Sequence, residues 1–113
     1  MTTNATFATG TVFELSQQIE YSKGGIISKQ ILKNEAGNVT LFSFDKEQGL
    51  SEHAAPFDAL VQIIDGKAEI TIGGILHTLE TGQIIIMPAN VPHAVYAAEQ
   101  FKMLLTMIRG IDC

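Results

Sequence analysis

The chain has 113 residues, 46% of them hydrophobic and 17% charged, with a mean hydropathy of +0.22. That is one domain with a core of its own, and it excludes intrinsic disorder, which needs low hydrophobicity and high charge. Seven Lys and Arg against twelve Asp and Glu leave a formal charge of −5, so neither nucleic acid nor an anionic membrane surface is an expected partner.

The segment before Lys23 carries no Lys or Arg and no apolar signal core. The longest purely aliphatic stretch, Ile84–Met87, is too short to span a bilayer. The single cysteine, Cys113, has no partner for an internal disulfide. Together these predict a cytoplasmic protein.

In chain order, the first patterned segment is Val12–Tyr21, where Val12, Leu15 and Ile19 fit either a helical stripe or an extended piece. Turn signals then recur at Gly24-Gly25, Asn34–Asn38, Asp45–Gly49, Asp65-Gly66, Gly73-Gly74, Glu80–Gly82 and Pro88–Pro92. The short segments between them are rich in Ile, Val, Phe and Leu, which predicts an antiparallel sandwich or barrel. Asp65-Gly66 and Gly73-Gly74 read as two-residue hairpin turns, with Lys67–Ile72 alternating polar and apolar between them.

Several of these strands are apolar on both faces. Val61 and Ile63 share one side of Asp58–Asp65 while Leu60 and Ile64 share the other, and Ile84–Met87 and Met103–Ile108 read the same way. One small barrel should wet its outer face, so a second cover is implied, and a homodimer that buries one sheet face is expected.

Two motifs carry a family resemblance. Gly49-Leu-Ser-Glu-His53-Ala-Ala55-Pro-Phe-Asp-Ala59, running on to Gly66, resembles the first signature of the cupin superfamily. Gly82-Gln-Ile-Ile-Ile-Met-Pro88-Ala-Asn90-Val-Pro-His93 resembles the second. Six anchors match in order: Gly49, His53, Gly66, Gly82, Pro88 and His93. The resemblance implies an all-β, cupin-like double-stranded β-helix, a jelly-roll barrel of the small conserved-barrel type. It makes residues 1–113 a single cupin domain with a barrel core at about 39–109. In dimers of such proteins N-terminal strands often add to the partner's sheet, and here the segment at about 10–33 would do so.

The departures bear on function. Metal-dependent cupins hold one divalent metal with two His and a Glu from the first motif and the His of the second. In this chain His53 and His93 keep the first and last of those positions, while Ala55 and Ala59 stand at the second His and the Glu. Asn90 and Ala97 replace the usual Gly and Asn of the second motif. Half of the ligand set, with its only anion, has become methyl groups. Asp58 and Glu52 lie one residue from ligand positions, and strand alternation aims them outward unless a bulge intervenes.

Three functional readings follow. The leading one is a pocket for a small molecule, with His53 and His93 at its polar end and Ala55, Ala59, Val61 and Val95 along its apolar wall. The alternative is a metal-dependent enzyme of oxygenase or isomerase type, using His53 and His93 to hold a weakly bound Zn, Ni, Fe or Cu. The third is a structural or interaction module whose two histidines form a vestigial, hydrogen-bonded pair.

Other residues read more plainly. His77 is expected at the surface or a sheet edge, Tyr96 on the outside at the dimer contact, and Gln62 as an interface amide. Phe42, Phe44, Phe57, Met87, Met103 and Met107 read as core that could line a pocket. No nucleophile stands beside a base with an orienting acid: Ser51 is two residues from His53 without one, and Cys113 shows no sign of activation.

Overall fold

The computed structural model describes residues 6–109. After a single 3-10 turn at Leu15–Gln17, eight strands follow: β1 Ile26–Asn34, β2 Gly37–Phe44, β3 Gly49–His53, β4 Asp58–Ile72, β5 Ile75–Glu80, β6 Ile84–Met87, β7 His93–Tyr96 and β8 Phe101–Ile108. All pairings are antiparallel. One sheet runs β1-β2-β8-β4-β6, the other β3-β7-β4-β5, and the long strand β4 belongs to both. The result is the curled, jelly-roll half-barrel that the cupin motifs imply.

Hairpin chemistry explains the turns. Asn34 pairs with Gly37 across Glu35-Ala36, and the Asn34 carboxamide oxygen accepts from the Ala36 amide at 2.7 Å. Ile72 pairs with Ile75 across Gly73-Gly74, whose φ angles of 56° and 83° are those of a type I′ turn, as expected.

Asp65-Gly66, by contrast, is not a hairpin. Strand β4 passes straight through it, and the register against β8 slips between Ile63 and Asp65. Gly66 does adopt a positive φ of 83°, as a hairpin glycine would. It uses that freedom to bend one strand from the first sheet into the second, because the Phe101 backbone packs against it where a Cβ would stand. A dipeptide reports a positive φ; whether the chain then reverses or bends depends on what pairs with it.

The core fills the concave side. Phe44, Val61, Ile63, Ala68, Ile70, Ala97 and Phe101 are fully or almost fully enclosed, and the Phe44 and Phe101 rings stack at 4.7 Å. Met87 and Met103 join this core, while Phe42 and Met107 pack against it. The alternation read in Lys67–Ile72 holds, with Ala68 and Ile70 inside.

The convex side of the first sheet is covered at one end only. Residues 15–21 contain only the 3-10 turn and lie across it, which resolves the two readings of Val12–Tyr21 in favour of neither a strand nor an α-helix. Ile19, 2% exposed, docks there, the Ser43 hydroxyl donates to the Glu20 carbonyl, and the Lys102 and Lys29 ammonium groups donate to the Ser16 and Gln18 carbonyls. At the uncovered end, Leu32, Val39, Thr106, Leu60 and Ile86 stand in one unbroken cross-strand row over all five strands. Leu41, Leu104, Gln62 and Ile84 form the next row, which is covered at the fully buried Leu41 and open at Gln62 and Ile84. Leu32, Ile84, Ile86 and Ile108 are 53–60% exposed there, so the strands read as apolar on both faces leave their second face open within one chain.

Candidate functional site

A bulge builds the histidine pair. In β3 and β7, Leu50 pairs with Val95 and His53 with His93, so three steps along β3 match two along β7. Plain alternation from Leu50 would have set Glu52 opposite His93. The extra residue puts His53 there and leaves Glu52 exposed. The two rings meet edge to face, centroids 4.4 Å apart at 67°. His93 is buried, 6% exposed, and His53 lies open beside it.

Each ring is anchored in the same manner. The His53 Nδ1 lies 2.7 Å from the Ser51 carbonyl oxygen, and the His93 Nδ1 lies 3.3 Å from that of Val91. A carbonyl can only accept, so both Nδ1 atoms carry the proton in the neutral rings, and both Nε2 atoms keep a lone pair. Ser51 thus serves His53 through its main chain. No buried polar side-chain atom among the described residues lacks a partner.

The loops carrying the histidines are braced to one another. The Asn90 amide donates to the Ala55 carbonyl at 2.7 Å, the Ala89 amide to the Asp58 carboxylate at 2.9 Å, and the Gly73 amide to the Pro92 carbonyl at 2.8 Å. Asn90 has a φ of 66°, the left-handed conformation for which the cupin motif usually carries glycine and which asparagine tolerates better than most residues. That substitution is conservative for the backbone. Asp58 is engaged with Ala89 and sits one residue out of step with the inward Ala59, so it does not replace the missing carboxylate.

The remaining predicted residues are more deeply placed. Ala59, Val61 and Val95 belong to the packed core, and Ala55 is half-buried in the loop after β3. Ala59 stands in register between Met87 and Met107, so methionine side chains flank the position where the family's Glu would be. Among the described residues no three His, Cys, Asp or Glu side chains cluster as a metal would need. Two neutral imidazoles without a carboxylate do not make up the four-ligand set of metal-dependent cupins.

His77 is half-buried on β5, which among the described residues pairs with β4 alone, and Tyr96 and Gln62 face outward. Phe57 is half-buried beside Arg109, whose guanidinium lies 5.5 Å from the ring centroid. Cys113 lies outside the described residues. Sequence reasoning missed the cavity beside Phe57, of about 170 Å³, which also involves Lys33 and Arg109. Those two cations are far apart in sequence, and strand register alone joins them.

Known proteins give a consistent picture. A conserved protein of unknown function from Streptococcus pyogenes is similar over 99% of this chain and 98% of its own, with 35% identity and a TM-score of 0.89. A cupin 2 conserved barrel domain protein from Leptotrichia buccalis is 38% identical with a TM-score of 0.83; the match covers 86% of this chain and 47% of that one. A cupin superfamily protein from Desulfitobacterium hafniense, 24% identical over 96% of this chain and all of its own, has the same fold with a TM-score of 0.86. No functionally curated protein matches. The model of the cupin domain matches residues 40–109, the stretch that holds both motifs, most of β2 and all of β3 to β8, and the chain belongs to the cupin family.

Proposed function

We propose that this cupin binds a small polar molecule at the mouth of its barrel, where His53 and His93 accept hydrogen bonds from it through Nε2. The observation that carries this reading is the pair of Nδ1 bonds to backbone carbonyls, which turns two rings at 4.4 Å into paired acceptors. Such a pair suits a ligand with hydroxyl, amide or ammonium donors. The braced loops support it by fixing the rings in advance, which lowers the ordering cost of binding.

The same pair favours a second reading, since metal-ligating histidines hold their other nitrogen in this way. The missing carboxylate weighs against it. One experiment separates the two: elemental analysis of tag-free protein purified without chelator, beside a thermal-shift screen of polyols, amides and amines. The expected outcome is trace metal together with ligand-induced stabilisation that His53→Ala/His93→Ala abolishes. Near-stoichiometric metal that disappears in the double variant would replace this reading with a metal site.

We also propose that the protein is a cytoplasmic homodimer closed over the open face of the β1-β2-β8-β4-β6 sheet. Five strands at ~4.8 Å and two outward rows at ~7 Å give a face of roughly 340 Å² in projection, the apolar centre of an interface whose rim brings it toward the ~800 Å² per partner typical of stable complexes. Gln62, set between Ile84 and Leu104, presents both donor and acceptor, so across a two-fold axis it can pair with its own copy.

A further inference from the structure

We infer a second binding site, for a small organic carboxylate, in the cavity of about 170 Å³ between the β1-β2 hairpin and the end of β8. It is independent of the histidine pair. The cross-strand row Lys33–Asn38–Met107–Ala59–Met87 runs along the concave face of the first sheet, and the cavity lies where that row leaves the core.

Among the described residues, its charged side chains are both cations. Lys33 and Arg109 contribute two of the seven cations of a chain with net charge −5, and no described carboxylate lines the cavity. The two lining carboxamides point the same way chemically. The Asn34 oxygen accepts from the Ala36 amide at 2.7 Å, and the Asn38 oxygen accepts from the Thr40 hydroxyl at 3.2 Å. Each side chain thereby commits its oxygen to the protein and keeps its NH2 for a ligand. A site with two cations, two NH2 groups and both carboxamide oxygens already engaged selects an anion.

The walls narrow the class further. Phe57 and Met107 give an apolar side, with the Arg109 guanidinium 5.5 Å from the Phe57 ring centroid. The Arg109 backbone is held at that edge by its amide, which donates to the Ala36 carbonyl at 2.8 Å. A planar guanidinium binds a carboxylate through two parallel hydrogen bonds. The volume matches about six waters at liquid density. A compact acid with an apolar or aromatic body fits the donors and the walls together.

Nitrogen–proton correlation NMR of the full chain, titrated at constant ionic strength, tests this with benzoate, its neutral analogue benzamide and inorganic phosphate as probes. Benzoate should produce saturable shifts at the Gly37, Asn38 and Arg109 amides. Benzamide and phosphate should bind about tenfold more weakly or not at all. The benzoate shifts should vanish in Lys33→Gln/Arg109→Gln, whose residues are exposed, and also in Asn38→Asp, which removes the NH2 and adds a negative charge. They should persist in His53→Ala/His93→Ala, which separates failure here from failure of the histidine reading. Non-saturating shifts, benzamide or phosphate binding as tightly as benzoate, or retention in Lys33→Gln/Arg109→Gln would each overturn the assignment.

Discussion

At the scale of single residues, two glycines with the same backbone angle carry different constraints. Gly66 and Gly74 both have φ of 83°. A Cβ on Gly74 would meet nothing within 4 Å, whereas one on Gly66 would collide with the Gln100 carbonyl oxygen and lie 2.9 Å from the Phe101 Cα. Gly74→Ala should therefore cost only the left-handed penalty, about 1–2 kcal/mol. Gly66→Ala must also part β4 from the start of β8 and should cost about 3 kcal/mol or more. Urea midpoints at one fixed protein concentration would rank them, and equal losses would show that the approach of Phe101 imposes no constraint. Both glycines were legible as positive-φ positions in the sequence. The backbone that crowds Gly66 belongs to residues 100 and 101, which no local pattern connects to it.

At the scale of elements, residues 15–21 act as a strap. Their last residue, Tyr21, donates its hydroxyl proton to the Asp65 carboxylate at 2.5 Å, and the Lys102 ammonium sits 5.1 Å from its ring centroid. Burial above all, then the Asp65 hydrogen bond and the Asp65 charge, pushes the Tyr21 phenol far above its ordinary value near 10. The folded state thus keeps a proton that the unfolded state releases at about pH 10. The stabilisation is fully present below that pH and is lost as pH rises above it. Tyr21→Phe should cost about 1 kcal/mol at neutral pH. It should also make the fall in stability between pH 9 and 11 shallower than in the wild type, a difference readable from chemical denaturation across that range. Parallel curves would show that folding does not raise the phenol's pKa.

At the scale of the whole molecule, the proposed dimer rests on the open convex face. A monomer leaves Leu32, Ile84, Ile86 and Ile108 more than half exposed on one sheet, a contiguous apolar patch of the kind that marks an interaction site. Ile86→Lys places an ammonium in the middle of the apolar row. It should convert a dimer to a folded monomer, halving the mass measured by light scattering after gel filtration while leaving the β-sheet circular dichroism intact. A wild-type mass of one chain at micromolar concentration would refute the dimer.

The sequence by itself determined the family, because turn glycines, Pro88 and the two histidines occur at spacings that the barrel's hairpins require, and such requirements are local. It also determined that two of the four metal-ligand positions are methyl groups, since identity at a matched position needs no coordinates. The tertiary structure alone decided that Asp65-Gly66 bends a strand rather than ending one, for its role depends on Phe101. It alone decided that a bulge brings His53 rather than Glu52 opposite His93. Strand parity is a sound rule until one extra residue is inserted, and only the partner strand reveals the insertion. That Lys33 and Arg109 line one cavity has the same origin: antiparallel pairing brings together strand ends that the chain keeps far apart.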